Sequence, residues 1–177
     1  MERKITLIAA PAGFGKTTLL AEWIPSSERC VTWVSLDESD NDLASFWNLF
    51  LSALQRLEAE LGKHAQSLLE SAQAPPPETV LAAAINDISA CPLRFIHVFD
   101  DYHFIKNPAI DGALAYLLEH LPPNLHIIVA SRTDPDLPLA RWRGRGDLTE
   151  VRAADLRFTS DEIAAFLNDR MRLGLSP

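Results

Sequence analysis

The residues best suited to chemistry lie near the start of the chain, in the stretch "APAGFGKTT" at positions 10–18. Gly15, Lys16 and Thr17 match the end of a phosphate-binding loop, whose usual first glycine is replaced here by Ala10. In such a loop, backbone N–H groups surround a phosphate, the lysine reaches the β and γ phosphates, and the hydroxyl can bind Mg²⁺. The residues expected to hold the phosphates are Pro11, Ala12, Gly13, Phe14, Gly15, Lys16, Thr17 and Thr18.

The flanking sequence favours this interpretation over a chance Gly-Lys-Thr at a helix start. The apolar, β-branched run 4–10 predicts a strand, and an apolar helix is expected from Thr17 to Ile24. A helix that opens directly after the loop adds its positive end to the anion site. Alanine at position 10 is compatible with the loop if its φ angle is negative, because Gly13 supplies the flexibility inside the loop.

An acidic pair follows the apolar stretch "RFIHVFDD" at positions 94–101. Asp100 could hold Mg²⁺, directly or through water, and Asp101 could orient or deprotonate an attacking water. Two adjacent carboxylates at a strand end could instead form a turn or a helix cap. His103 lies near enough to this pair to be a weaker candidate, whereas His97 is expected in the core or at an interface.

The strand expected at 125–132 ends in Ser131 and Arg132. If it lies between the first and third strands, one of these residues emerges beside the phosphate loop, where a cation can sense the γ-phosphate. Arg132 could instead be solvated or paired with Asp134. The arginine-rich stretch "RWRGRG" at 141–146 is interpreted as an ordinary surface loop, with a phosphate-closing lid or a nucleic-acid contact as alternatives.

Strand-like and helix-like stretches alternate along the chain, which indicates a parallel sheet flanked by helices. Apolar residues at helical spacing from Leu43 to Leu61 predict one long helix. The connection that follows is expected to be a surface segment with at most a short helical turn. Further predictions are a strand at 30–36, helices at 78–90 and 108–121, and a capped helix from Thr159 to Arg170. Residues 136–147 are expected to form a loop, with one helical turn as an alternative, and 148–153 an edge strand.

Composition limits the class of protein. The chain has 177 residues, enough for one domain with a substantial core, and no apolar run long enough to span a membrane. Its formal net charge of −8 disfavours nucleic-acid binding through a generally basic surface. Cys30 and Cys91 lack metal-ligand spacing and are expected to be buried, reduced thiols, which predicts a cytoplasmic location.

Four stretches together resemble the ATPase domain of MalT-like, large LuxR-type transcriptional regulators of the STAND class. They are "LIAAPAGFGKTTLLAEW", "TWVSLDESDND", "HVFDDYHFI" and the segment that starts at "LHIIVASRTD". Ala10 in place of the first glycine is typical of that group. The resemblance implies a three-layer α/β P-loop NTPase fold (AAA+/STAND-like) with a parallel five-stranded sheet in the order 5-1-4-3-2.

The resemblance also implies a function. Such domains are switches that bind ATP or ADP with Mg²⁺, rest as ADP-bound monomers, self-associate with ATP and an inducer, and reset by hydrolysis. By position, Lys16 and Thr17 (Walker A) would bind phosphate and Mg²⁺, Asp100 (Walker B) the metal, Asp101 would assist hydrolysis, and Arg132 would act as the sensor. Aspartate in place of the glutamate of fast AAA+ machines predicts slow turnover.

Residues 1–177 are therefore expected to be one P-loop NTPase domain within a longer protein. Family members have an adenine-side segment before the first strand, and winged-helix, helical-repeat and helix-turn-helix parts after the ATPase domain, none of which this sequence contains. DNA binding by this segment itself is not expected. Two alternatives stay open: a P-loop kinase of small molecules, with "RWRGRG" as its lid, and a non-hydrolysing interaction module that keeps ADP.

Overall fold

A single parallel sheet organises the fold. The computed structural model describes residues 3–71, 73, 75–157, 159 and 162. Within them the strands are Ile5–Ala9 (β1), Cys30–Ser35 (β2), Phe95–Asp100 (β3), Leu125–Ser131 (β4) and Leu148–Arg152 (β5). The helices are Lys16–Trp23 (α1), Leu43–Gln55 (α2), Lys63–Leu69 (α3), Pro77–Ala90 (α4), Pro108–Glu119 (α5) and Leu139–Arg145 (α6).

The strand order is β2-β3-β4-β1-β5, which is the predicted order 5-1-4-3-2 read from the opposite edge. All pairings are parallel, and β4 lies between β1 and β3. The register pairs Ala9 of β1 with Ser131 of β4. The ends of β1 and β4 therefore meet at one edge of the sheet, and the loop after β1 and the residue after β4 are neighbours, as predicted.

Each face of the sheet has its own apolar cluster, because successive strand residues point to opposite sides. On one face, the helices α2 to α6 bury large side chains such as Phe46, Phe50 and Trp142 against the strands. On the other face, Leu20 of α1 packs with strand residues that include Ile8 and Val98. Since α1 starts right after the phosphate loop, its packing fixes the loop against the sheet.

The prediction of one helix from Leu43 to Leu61 is wrong at its end. The helix α2 stops at Gln55, and the chain turns back through Gly62, whose φ is 73°. The expected surface connection contains α3, which packs against α2 and α4. Leu61 is buried as predicted, but it lies in the turn. Apolar spacing continued across this turn because both helices contribute to the same core.

Other boundaries differ by little. The helix predicted to reach residue 121 ends at Glu119, and the loop predicted at 136–147 contains the seven-residue helix α6.

Cys30 is exposed and Cys91 is half-buried, so the expectation that both are buried is wrong for Cys30; both thiols are free. No helix within the described residues is long and apolar enough to cross a membrane.

The predicted capping box near residue 160 is present. The Thr159 N–H donates to Glu162 Oε2 at 2.7 Å, and the Glu162 N–H donates to Thr159 Oγ1 at 3.2 Å. This reciprocal pair satisfies backbone N–H groups at a helix start. The rest of the helix predicted to reach Arg170 lies outside the described residues.

Candidate nucleotide-binding site

The loop between β1 and α1 has the backbone that a phosphate cradle needs. Gly13 and Gly15 have φ angles of 82° and 72°, a region that side-chain-bearing residues rarely adopt. Gly15 caps α1, whose first N–H groups face the loop. Ala10 continues the strand: its N–H donates to the Ser131 carbonyl at 3.2 Å, and its φ is not positive. Alanine at this position is therefore compatible with the loop, as predicted.

Lys16 is a buried cation held at the loop. Lys16 is only 7% exposed. Its Nζ donates to the Ala10 carbonyl at 2.8 Å and to the Pro11 carbonyl at 3.1 Å. Carbonyl oxygens orient an ammonium group but do not neutralise it. The Asp100 carboxylate contributes negative charge nearby, and an anion bound beside Lys16 would further lower the cost of burying the ammonium group.

Asp100 is joined to the loop by a side-chain hydrogen bond. The hydroxyl Thr17 Oγ1 donates to Asp100 Oδ2 at 2.9 Å, and the Asp101 N–H donates to Asp100 Oδ1 at 2.9 Å. Asp100 is 2% exposed, and burial raises the pKa of its carboxyl, while the bond from Thr17 and the charge of Lys16 oppose that rise. A hydroxyl and a carboxylate in contact form the oxygen-donor set that Mg²⁺ prefers.

Asp101 has an unusual backbone conformation. Its φ of 55° makes it the one non-glycine residue with positive φ among those the structure describes. It precedes a 3₁₀ turn at Tyr102–Phe104, yet its side chain makes no capping hydrogen bond there. The helix-cap alternative is therefore not supported for Asp101, whereas the turn is present, because the Phe104 N–H donates to the Asp101 carbonyl at 3.1 Å. Such a conformation costs of order 1 kcal/mol and is typical of functional sites that the surrounding structure holds in place.

His103 stands beside Asp101. Its Nδ1 is 3.6 Å from Asp101 Oδ1, and neither ring nitrogen has a hydrogen-bond partner within the described residues although both are buried. Burial lowers the pKa of His103, and the charge of Arg132 lowers it further. The imidazole is thus neutral at neutral pH and can exchange hydrogen bonds with a polar ligand or with Asp101.

Arg132 emerges at the end of β4 on this same side. Its guanidinium carbon lies 5.9 Å from the centre of the Phe104 ring, a cation–π distance. Asp134, the alternative partner, is instead in an ion pair with Arg152. The loop after β1, the end of β3 and the end of β4 therefore lie at the same edge of the sheet.

The arginine-rich stretch has a structural explanation. Trp142 is 1% exposed in the core, while Arg141 and Arg143 form ion pairs with Glu119 and Glu150 at 2.5 and 2.7 Å. These contacts agree with the predicted surface role and give the lid alternative no support. His97, as predicted, belongs to the core: it is fully buried, and its Nδ1 lies 2.8 Å from Thr32 Oγ1.

Cavity size does not locate this site. A cavity of about 430 Å³ lies at the other end of the sheet, near Leu61, Cys91 and Leu93, and contains none of the selected residues. A smaller cavity of about 270 Å³ lies against the loops after β3 and β4 and includes His103, Lys106 and Ser131. The chemistry of the residues, rather than the larger volume, identifies the candidate site.

The fold and the arrangement of its loops define a class. The sheet is parallel, a glycine-rich loop follows β1, β3 ends in an acidic residue, and β4 lies between β1 and β3. This is the fold of P-loop ATPases.

Sequence comparison finds relatives among known regulators. The chain is 32% identical over 174 residues to the HTH-type transcriptional regulator MalT of Cronobacter sakazakii, and 34% identical over 172 residues to MalT of Vibrio parahaemolyticus. These matches cover 98% and 97% of this chain and 19% of each relative, so the chain spans about a fifth of their length. They confirm the family predicted from the sequence: the chain is related to the ATPase domain of MalT-like regulators.

A relative with a different name shares the same segment. The serine/threonine-protein kinase PknK of Mycobacterium tuberculosis is 35% identical over 170 residues, which cover 94% of this chain and 15% of PknK. The segment therefore occurs in proteins with different overall functions. No protein-family model matches the chain.

Solved structures share the fold at low identity. Cdc6p from Pyrobaculum aerophilum matches with a TM-score of 0.59 and 13% identity, covering 99% of this chain and 45% of that one. The Aeropyrum pernix ORC1 protein, solved in complex with DNA, matches with a TM-score of 0.51 and 13% identity, covering 100% and 46%. At such identities the likeness concerns the fold alone.

Proposed function

We propose that this chain is an ATP-binding, slowly hydrolysing switch domain of the STAND class that serves a bacterial transcriptional regulator. The observation that carries the proposal is the contact between Thr17 and Asp100 at 2.9 Å beside the buried ammonium of Lys16. It joins a phosphate-binding loop (Walker A) to an acidic strand end (Walker B), which is the combination that nucleoside triphosphate binding requires.

The residues present fit a nucleotide with Mg²⁺. The N–H groups of residues 13–18 and the Lys16 ammonium would hold the phosphates, and Thr17 and Asp100 would hold the metal. Bound Mg²⁺ supplies positive charge that neutralises phosphate oxygens. The hydrogen bond between Thr17 and Asp100 holds both oxygen ligands next to each other, which lowers the cost of ordering them around a metal.

Three further residues would act in hydrolysis. Asp101 would orient a water and accept its proton, and the neutral His103, whose Nδ1 lies 3.6 Å from Asp101 Oδ1, would be close enough to hydrogen-bond to the same water. Arg132 would contact the terminal phosphate and lose that contact when the phosphate leaves. Asp101 has one methylene fewer than the glutamate of fast AAA+ machines, which supports slow turnover and hence a switch rather than a motor.

The order of the strands disfavours the kinase alternative. A small-molecule kinase of the P-loop class would place the Asp100 strand next to β1, whereas β4 with Arg132 lies between them here. In the switch interpretation, the rest of the protein would read the nucleotide state. The ATP state would promote self-association, and DNA would be bound by a separate helix-turn-helix domain. The non-hydrolysing, ADP-keeping module remains the competing outcome of the tests.

Nucleotide binding is the first test. The purified chain is expected to bind ATP and ADP in the presence of Mg²⁺, measured by isothermal titration calorimetry, and to carry nucleotide through purification. Lys16→Ala is expected to weaken binding by about 100-fold or more, since it removes a charged partner of the phosphates. Lys63→Ala is the control, because Lys63 is an exposed lysine paired with Glu60 away from the site. Equal binding by the two variants would contradict the proposal.

A further inference from the structure

Asn41, in the connection between β2 and α2, bridges to the loop that follows Asp100. Its side-chain amide Nδ2 donates to the Phe104 carbonyl at 2.9 Å, and its Oδ1 accepts from the Lys106 N–H at 2.6 Å. Its backbone carbonyl accepts from Asn107 Nδ2 at 2.8 Å. One half-buried asparagine therefore holds the end of that loop, residues 104–107, through three hydrogen bonds between segments far apart in sequence.

The loop held in this way contains the residues proposed for hydrolysis. Asp101 has its positive φ there, His103 stands beside it, and the Phe104 ring lies under Arg132. The start of the loop is tied as well, because the Leu36 N–H donates to the Asp100 carbonyl at 3.0 Å. The connection after β2 thus holds both ends of the loop.

The acidic neighbours of Asn41 have a different use. Asp37 and Asp40 form a local capping box, and Asp42 caps the start of α2. Asn41 differs from them in that its amide offers a donor and an acceptor at once. Both are needed, because the loop presents a carbonyl at Phe104 and an N–H at Lys106.

We infer that Asn41 is a positioning residue for the proposed hydrolysis, an inference that rests on the proposed function. A strained conformation such as that of Asp101 persists only where its surroundings determine it. Asn41 supplies that constraint from outside the loop. A shift of the loop by about 1 Å would misplace Asp101 and cost up to roughly 100-fold in rate, without any change in the residues that hold the phosphates.

The test uses Asn41→Asp, which keeps the acceptor for the Lys106 N–H and loses the donor to the carbonyls of Phe104 and Glu38. A matched control is Asn124→Asp at the opposite end of the sheet. There the amide donates to the carbonyls of Ile88, Cys91 and Leu93 at 2.7, 2.9 and 3.3 Å. Both variants replace an amide donor with a carboxylate oxygen facing backbone carbonyls, so both lose stability in a comparable way.

Two measurements are made on each variant and on the wild-type chain. Amide hydrogen exchange of peptides covering residues 101–107 is followed without nucleotide, and hydrolysis of bound ATP is followed in a single turnover together with ADP affinity. Asn41→Asp is expected to speed exchange in 101–107 by about tenfold and to slow hydrolysis by at least about tenfold, with ADP affinity unchanged within about twofold. Asn124→Asp is expected to lower the melting temperature and to change neither quantity.

Unchanged exchange at 101–107 in Asn41→Asp would overturn the inference, and so would equal slowing of hydrolysis by Asn124→Asp. A wild-type chain that binds no nucleotide would instead refute the proposed function. In that case the exchange comparison alone decides whether Asn41 fixes the loop.

Discussion

Thr17 and Asp100, 83 positions apart in the sequence, are joined by a hydrogen bond of 2.9 Å from the threonine hydroxyl to the carboxylate. The bond connects the first turn of α1 to the end of β3 across the inserted strand β4. It gathers a hydroxyl, a carboxylate and the neighbouring Lys16 at one edge of the sheet.

Asp100→Asn is expected to stabilise the metal-free chain at neutral pH. Burial raises the folded-state pKa of Asp100, so the folded chain binds a proton more readily than the unfolded one, and its stability falls as pH rises through that pKa. Asparagine removes the buried charge and can still bond to Thr17 and to the Asp101 N–H. Thermal unfolding at pH 7 should show a gain of about 2–4 °C, which disappears below about pH 4.

The same substitution should remove the effect of Mg²⁺. In the wild-type chain, Mg²⁺ together with ADP is expected to raise the melting temperature above that with ADP alone, and Asp100→Asn should abolish this difference. A variant that still responds to Mg²⁺ as the wild type does would place the metal elsewhere.

Asp101→Asn is expected to separate binding from hydrolysis. Asparagine tolerates the positive φ of this residue, so the loop keeps its conformation while the proton acceptor is lost. ATP affinity should be unchanged within about twofold, and hydrolysis should fall by about 100-fold or more. Asp101→Ala should, in addition, lower the free energy of unfolding by about 1 kcal/mol, because alanine is strained at this φ. Unchanged turnover in Asp101→Asn would support the non-hydrolysing alternative.

The sequence predicted the order of the strands but not the end of α2 or the contacts of Asn41. The insertion of β4 was predictable because the family resemblance supplied the strand order that periodicity alone cannot give. The end of α2 at Gln55 was not, since apolar residues such as Leu61 continue the helical spacing into a turn that depends on the backbone of Gly62. The bridge formed by Asn41 was also hidden, because a polar residue in an acidic turn carries no local sign of its partner 63 residues away.

His97 should make stability depend on acid pH. Burial lowers its folded-state pKa to about 3 from the ordinary 6.5, so between these values the unfolded chain binds the extra proton. The contribution of neutral His97 is complete above about pH 6.5 and is lost as pH falls toward 3. Relative to the wild type, His97→Gln should gain up to about 1.4 kcal/mol per pH unit on acidification across this range, measured by denaturant unfolding. A difference that is constant with pH would contradict this assignment.

The buried Trp142 side chain should contribute strongly to the free energy of unfolding. Trp142→Ala removes a buried aromatic side chain and should cost about 3–5 kcal/mol in denaturant unfolding. Trp142→Phe should cost clearly less, because the indole N–H has no partner within the described residues.

Arg143→Ala, at an exposed ion pair with Glu150, should cost less than about 1 kcal/mol and leave ATP affinity unchanged. Loss of ATP binding in Arg143→Ala would revive the lid interpretation.

The most direct test of the switch is the identity of the nucleotide after one turnover. The wild-type chain is loaded with radiolabelled ATP and Mg²⁺, separated from free nucleotide, incubated, and analysed for what stays bound. We predict that the wild-type chain slowly converts bound ATP to ADP, which stays on the protein. Asp101→Asn is expected to retain ATP without hydrolysing it. A wild-type chain that binds no nucleotide, or one that keeps ATP intact as long as Asp101→Asn does, would contradict an ATP-hydrolysing switch.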